Sequence, residues 1–312
     1  MVFAIVVVGG ATRLTGSGLS ITEWQPLLGA IPPLNDADWQ SAFEKYKASS
    51  QFKLQNSAMT LSAFHFIYWW EWSHRVLARS IGAVAIVPFL YFAVRRMLPK
   101  GQWPRYVLLL ALGGLQGLLG WYMVKSGLDQ RVAVSQYWLA AHLICASAIF
   151  AFALWLRFSI NSKHQWVRSG TEILGLLLLA LVFVQLVAGA FVAGLNAGQG
   201  YNTWPLMDGA FIPQGLNAIE PWWKNLFENA LTVQFDHRML AYLILALTFV
   251  NLLFAFGASS FLLFYLVVMQ AALGIFTLLF HVPLPLALVH QAGAMLVLMA
   301  AVWNLHRRTI IE

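Results

Sequence analysis

Four histidines lie inside long apolar stretches of the chain: His74, His142, His237 and His290. Each lies about seven to ten residues from the same end of its predicted span, so the four imidazoles are expected at one depth. A polar side chain in hydrocarbon is costly and usually functional. Two imidazoles that face each other across a four-helix unit can ligate a haem iron, so two pairs predict two haems. The alternative for any single histidine is a hydrogen bond between helices.

A carboxylate accompanies only one of these histidines. Glu71 lies three residues before His74, about one helical turn, whereas Gln234 holds the matching position in the second half of the chain. An ionisable group at one site and an amide at the other predict that the first site handles protons and performs the chemistry. The second site is then expected to hold a haem for electron transfer or structure. An ion pair of Glu71 with Arg75 or Arg79 is the alternative.

In each half of the chain an arginine directly follows one of the four histidines. These arginines are Arg75 and Arg238. A buried arginine needs an anion, and haem propionates would supply one. A structural ion pair with Asp236 or Asp208 is the competing explanation.

Other metal sites are less favoured by the sequence. No carboxylate or thiolate recurs at the depth of the histidines, which argues against zinc or copper. The single cysteine, Cys145, excludes an internal disulfide and any multi-cysteine metal site. Glycines in two spans would let a helix or a flat macrocycle approach closely, although helix packing explains them equally well. They are Gly113, Gly114, Gly117, Gly120 and Gly274.

The elements that carry these residues must be membrane helices. Of the 312 residues, 60% are hydrophobic and only 10% are charged, with a mean hydropathy of +0.70. Such a chain has too little polar surface for a soluble protein. Apolar spans are predicted at 1–10, 64–94, 105–124, 134–156, 172–194, 229–256, 260–280 and 284–305. The first is too short to cross a bilayer and lacks the features of a signal peptide, so we expect the natural first helix to begin upstream.

The basic residues predict the orientation of the helices. They cluster between or after spans and include Arg95, Arg96, Lys100, Arg105, Arg157, Lys163, Arg168, Arg307 and Arg308. By the positive-inside rule both termini are cytoplasmic, and the long loops at 11–63 and 195–228 lie outside. The net charge of +7 therefore reports topology and gives no indication of nucleic-acid binding.

The two halves of the chain resemble each other. "SHRVLAR" matches "DHRMLAY", "QGLLG" matches "QAALG", and "LAAHL" matches "ALVHQ". This pattern predicts a tandem duplication of a four-helix unit, with halves at 1–168 and 169–312 related by an axis along the membrane normal. The predicted fold is therefore an all-α integral membrane protein of eight transmembrane helices in two pseudo-two-fold related bundles.

Two other functions are compatible with parts of this pattern. A di-haem electron carrier of the cytochrome b type would also use four histidines, but it would place its haems near opposite faces of the membrane. Extraction of haem b alone from two sites would favour the carrier. A transporter would explain the repeats but not the matched histidines.

Several longer motifs resemble those of the haem A synthase family, in its proteobacterial and mitochondrial branch. They are "GGATRLTGSGLSITEWQPLLGAIPPLN", "FEKYKASSQF", "MTLSAFHFIYWWEWSHR", "YWLAAHL" and "FDHRMLAY", and they occur in order along essentially the whole chain. The resemblance implies an eight-helix pseudo-two-fold bundle. It also implies oxidation of the C8 methyl of haem O to a formyl group, through successive hydroxylations with loss of water.

Roles for individual residues also follow from the resemblance. His74 and His142 would hold the substrate haem O, and His237 and His290 would hold a haem b cofactor. Glu71 in "EWSH" would transfer protons or stabilise a cationic intermediate at the methyl carbon. The implied setting is a bacterial inner membrane, rather than a mitochondrial one, with membrane lipid around the protein. A haem O synthase, cytochrome oxidase assembly factors, an unidentified electron donor and a second copy of the chain are the expected partners.

Overall fold

The computed structural model describes residues 1–25, 28–98, 101–130, 132–160 and 169–309, and these residues are almost entirely helical. Within those ranges there is no named strand, and one isolated bridge pairs Met207 with Ala210. The helices are α1 Val2–Leu14, α2 Asp36–Lys47, α3 Ser50–Gln55, α4 Leu61–Val94, α5 Trp103–Gln130, α6 Gln136–Phe158, α7 Gly170–Gly194, α8 Asn225–Glu228, α9 Ala230–Phe254, α10 Ala258–Leu279 and α11 Leu284–Thr309.

Seven helices in the described ranges are long and apolar enough to cross a membrane. They are α4, α5, α6, α7, α9, α10 and α11, and they confirm seven of the predicted spans to within a few residues. The segment at the start of the chain forms α1, a shorter apolar helix of 13 residues. Lys100, Lys163 and Arg168, on which the predicted orientation partly depends, lie outside the described residues.

Polar residues at the ends of the loops fix where the histidine-bearing helices begin. The Thr60 hydroxyl accepts a hydrogen bond from the Ala63 N–H and caps α4. The Asn229 side chain likewise accepts from the Leu231 N–H at the start of α9. Such caps satisfy backbone donors that the first helical turn leaves unpaired, so they set the register of each helix.

The chain divides into two compact units, and the first comprises Met1–Trp138. Here α1 packs along α4, and α2 and α3 fold within the long loop that joins them. An aromatic cluster joins α2 to the first turns of α4; its buried members are Phe43, Tyr46, Phe64, Ile67 and Tyr68. Helix α4 has 34 residues, which is more than the roughly 20 residues that a bilayer requires. Its first turns lie against α2.

The second unit comprises Leu139–Glu312. Four of its helices pack in a closed ring in the order α7, α9, α10, α11 and back to α7. Consequently α9 and α11 stand diagonally across the bundle, and so do α7 and α10. This arrangement places α9 and α11, which carry His237 and His290, on opposite sides of one interior.

The predicted boundary at residue 168 and the compact units describe different properties. The compact units divide after Trp138, so α6 belongs with the second unit from Leu139 onward. The halves 1–168 and 169–312 rest on the sequence repeat, and they stay a prediction.

Candidate haem and active site

The second unit brings two predicted ligands together. His237 lies on α9 and His290 on the diagonal helix α11, seven and six residues after the first residue of each helix, so the two lie at similar depths in one interior. The Nδ1 atom of each ring is buried and has no hydrogen-bond partner among the described residues. A buried polar nitrogen without a partner costs about 1–3 kcal/mol. Two such nitrogens in one interior therefore fit a site whose occupant supplies the missing bonds.

Glycines on the neighbouring helices make room for these two rings. A Cβ atom at Gly189 on α7 would stand 3.2 Å from Cε1 of His237. At Gly274 on α10 it would stand 2.9 Å from Cε1 of His290. Each ring thus lies directly against a helix backbone, an approach that any larger residue would obstruct.

The donor set in this interior suits haem iron better than a bare metal ion. Among the described residues, no group of three or more histidine, cysteine, aspartate or glutamate side chains could hold a metal. A haem iron needs only two axial protein ligands, because the porphyrin supplies the other four. The pair His237 and His290 fits that requirement.

The first unit repeats the contact between a glycine and a histidine. His74 on α4 lies against α1, where a Cβ atom at Gly9 would stand 3.1 Å from its Nε2. His74 lies 13 residues after Leu61, whereas the other three lie six or seven residues into their helices. Helix α4 therefore has about two more turns before its histidine than the other three helices, and these turns pack on α2. His142 lies on α6 in the other compact unit, so its pairing with His74 stays a prediction.

Glu71 is buried, with 2% of its surface exposed, and its carboxylate accepts hydrogen bonds from three residues. Its Oε2 accepts from the Ser20 hydroxyl at 2.7 Å and from the Ile21 N–H at 2.8 Å. Its Oε1 accepts from Arg75, at 2.6 Å from Nη2 and 3.1 Å from Nε. The ion pair considered as the alternative is therefore present, and it involves Arg75.

Arg75 also ties α4 to the loop that follows α1. Its Nη2 donates to the Ile21 carbonyl at 2.8 Å and its Nη1 to the Glu23 carbonyl at 3.1 Å. With Glu71 on Nε and Nη2, every nitrogen of the guanidinium has a protein acceptor. A propionate would compete with these partners everywhere except at the second N–H of Nη1.

The negative charge of Glu71 affects Tyr46, a member of the aromatic cluster that lies on α2, outside the membrane-spanning helices. The Tyr46 side chain on α2 is completely buried. Burial is the main cause that raises the pKa of Tyr46; a hydrogen bond with Asn56 lowers it, and the charge of Glu71 raises it. The charge of Glu71 on α4 is therefore felt by a side chain of α2.

The equivalent position in the second unit holds an amide in different surroundings. Gln234 Nε2 donates to the Ala197 carbonyl at 2.7 Å, and its Oε1 accepts from Arg238 Nη2 at 2.7 Å. Arg238 Nη2 also donates to the Tyr201 carbonyl, while its Nε and Nη1 are buried and have no partner within the described part of the chain. The sequence contrast between Glu71 and Gln234 therefore marks a difference in hydrogen-bonding surroundings.

The proposed aspartate partners do not pair with Arg238. No ion pair joins Arg238 to Asp236 or Asp208 in the part of the chain that the structure describes. Asp236 instead lines an open groove of about 350 Å³ with Met239, Leu240 and Leu243. Two buried N–H groups of Arg238 thus remain available to an anion.

Sequence reasoning did not find several residues that shape the site. Ser20 and the backbone of Ile21 contact Glu71 from a loop about fifty residues away, and the local sequence gives no indication of this contact. Gln185 and Gln270 each donate to the backbone carbonyl of a candidate ligand. Here the repeated spacing of a glutamine four residues before a glycine was a usable indication.

Comparison with known proteins identifies the family. The family described as "Cytochrome oxidase assembly protein" matches residues 1–302 of this chain. The chain belongs to this family.

Several curated relatives in the cytochrome oxidase assembly family are named "Heme A synthase". The protein of Parvibaculum lavamentivorans is 50% identical and covers 98% of this chain and 91% of its own length. That of Azorhizobium caulinodans is 50% identical, with coverages of 96% and 89%. That of Rhodopseudomonas palustris strain BisA53 is 51% identical, with coverages of 98% and 88%.

Proposed function

We propose that this protein is a haem A synthase, an oxidoreductase that converts the C8 methyl of haem O into the formyl group of haem A for cytochrome oxidase. The observation that carries the proposal is 50% identity, over 98% of the chain, to a relative of that name. The ligand geometry of the second unit supports it, because opposed imidazoles with buried, unpartnered Nδ1 atoms suit a haem iron.

The second unit is proposed to hold the haem b cofactor. His237 and His290 would be its axial ligands, with Gly189 and Gly274 giving the rings access to the backbone. Arg238 would bind a propionate through its buried Nε and Nη1 groups. When bound, haem b supplies electron transfer, while the protein keeps the ligands in place and water out.

The first histidines of the chain are proposed to hold the substrate. His74 and His142 would bind haem O, by their match to the ligand positions of the second half. Glu71 would act on the methyl group, either as a proton acceptor or as an anion that stabilises positive charge at the methyl carbon. Ser20, Ile21 and Arg75 support this role, because their four hydrogen bonds fix the direction of the carboxyl group.

The wider setting follows from the family and the helices. The protein is a multi-pass inner-membrane protein of the oxidase assembly family. We propose eight spans in two duplicated halves, 1–168 and 169–312, with both termini in the cytoplasm. A haem O synthase that delivers the substrate, oxidase assembly factors that take the product, an electron donor and self-association in the lipid bilayer complete the proposal.

The test is expression beside a haem O synthase, followed by mass analysis of the extracted porphyrins. The wild-type protein should yield haem A together with haem b. Glu71→Gln should retain both haems and stop formyl formation, because an amide can neither accept the proton nor balance a positive charge. Glu44→Gln is the matched control, since Glu44 is exposed and pairs with Lys47 on the surface of α2.

Three results would count against parts of this proposal. Unconverted haem O with the wild-type protein would contradict the synthase activity. Haem b alone, at two sites, would favour the electron carrier. Normal haem A from Glu71→Gln would remove Glu71 from the mechanism while leaving the activity in place.

A further inference from the structure

A glutamine and a glycine on α7 contact the same histidine from one side. Gln185 and Gly189 are four residues apart, so they lie on one face of the helix. Gln185 Nε2 donates to the backbone carbonyl of His237 at 3.0 Å and lies 3.4 Å from the ring Nε2. Gly189 lies beneath the ring. The histidine is therefore contacted both at its backbone and at its imidazole.

The same combination occurs on α10. Gln270 Nε2 donates to the backbone carbonyl of His290 at 2.7 Å, and Gly274, four residues later, lies beneath the ring. A third residue leaves space for this glutamine, because a Cβ atom at Gly293 on α11 would overlap Oε1 of Gln270. The absence of a side chain at Gly293 therefore makes room for the amide.

These contacts restrain the histidines more than ordinary helix packing does. A helical carbonyl already accepts a bond from the residue four positions later, so the amide provides an additional bond between helices. That bond fixes the height of one helix against its neighbour at the histidine itself. The glycine fixes how closely the ring approaches the backbone. Two bundle edges, α7 with α9 and α10 with α11, carry the same device.

We propose that these two glutamine–glycine pairs are positioning residues that hold the imidazoles of His237 and His290 at one height and in fixed orientations. The proposal rests on the proposed haem function of the second unit. Ligand groups must be fixed within about half an ångström to be effective, and supporting contacts usually provide this precision. Neither glutamine side chain is itself a ligand in this proposal.

The helix beside His74 differs in sequence. Gly9 on α1 contacts that imidazole, but the residue four positions earlier is Ile5, whose side chain cannot donate a hydrogen bond. The glutamine of the pair is therefore missing from the helix beside His74, although the segment "QGLLG" of α5 has the same glutamine–glycine spacing as "QAALG" of α10.

The experiment compares Gln185→Leu and Gln270→Leu in the full-length protein purified in detergent. We expect each variant to bind haem b about 10-fold more weakly, as is typical when groups that support a metal ligand are removed. Less haem b should then be retained per protein. We also expect a shift in the low-spin ferric electron paramagnetic resonance signal, because that signal depends on the angle between the two imidazole planes. Gln55→Leu and Gly82→Ala are the controls, since Gln55 is exposed and a Cβ atom at Gly82 meets no described neighbour within 4 Å.

Gly293→Ala provides a second route to the same answer if the leucine variants fail to accumulate. It leaves Gln270 and His290 chemically intact, yet it should displace the amide and reproduce the spectral shift of Gln270→Leu. Wild-type haem content and an unshifted signal in these variants would overturn the positioning role and leave the haem site standing. Wild-type haem b content in His237→Ala would instead refute the haem site, and the positioning proposal with it.

Discussion

Arg75 and Arg238 occupy equivalent places in the two halves of the chain, but their surroundings are opposite in kind. Each directly follows a histidine and bonds to the polar side chain four residues before it. Arg75 faces the carboxylate of Glu71 and has protein acceptors on all its nitrogens. Arg238 faces the neutral amide of Gln234 and has two buried nitrogens without a partner. One helical motif therefore supports a closed ion pair in one unit and an open cation in the other.

The loops account for this difference. Around Glu71 the loop supplies donors, namely the Ser20 hydroxyl and the Ile21 N–H. Around Gln234 it supplies the Ala197 carbonyl, an acceptor that would repel a carboxylate. The acid and the amide are thus each matched to their own loop. The comparison favours Arg238 over Arg75 as a propionate contact, because a buried charge without an anion is unfavourable.

The largest expected effect is on stability in the first unit. Arg75→Gln should destabilise the protein by about 3–5 kcal/mol, because it leaves the buried Glu71 carboxylate without its counter-charge. The measurement is the apparent melting temperature in detergent. Arg238→Gln should lower that temperature much less, since no buried carboxylate of the protein itself loses its partner.

The double variant Glu71→Gln with Arg75→Gln separates the two costs. It should recover part of the lost stability, because neither charge then remains buried. Equal destabilisation by Arg75→Gln and Arg238→Gln would show that the two arginines are not electrostatically different.

The sequence predicted the features that depend on local pattern. Hydrophobic runs predicted seven spans, because a stretch of about twenty apolar residues has few alternatives to a membrane helix. Glu71 and Gln234 each lie three residues before a candidate ligand, His74 and His237, so the contrast between them could be predicted from the sequence. The short range of a helical turn also made the pair of Glu71 with Arg75 foreseeable as an alternative.

The remaining features depend on tertiary contacts between distant segments. The contacts of Ser20 and Ile21 with Glu71 require the long loop to fold back over α4, and helices α2 and α3 within that loop were not predicted. The grouping of α6 with the second unit reflects packing rather than sequence repetition. A glutamine four residues before a glycine is visible in the sequence, but only the fold shows that both contact one histidine.

A smaller effect should appear in haem binding by the second unit. Arg238→Gln removes a charge-assisted bond to a propionate, about 1.5–3 kcal/mol, or roughly 10- to 100-fold in affinity. The haem b retained after purification measures this loss. Arg105→Gln is the control, because that arginine is exposed and bonds to Gln102 three residues before it. Full retention of haem b in Arg238→Gln would exclude Arg238 from the haem site.

The smallest effect sharpens the role of the loop donors. Ser20→Ala should cost only about 1 kcal/mol, because the Ile21 N–H and Arg75 still hold the Glu71 carboxylate. The melting temperature measures this cost, and Ser80→Ala is the control, since that hydroxyl bonds to the Val76 carbonyl of its own helix. In a Glu71→Gln background the Ser20→Ala cost should shrink, because a hydroxyl bonds less strongly to an amide than to a carboxylate. An undiminished cost would mean that Ser20 stabilises the loop independently of the charge on Glu71, and the donor surroundings would then not explain why the acid lies in the first unit.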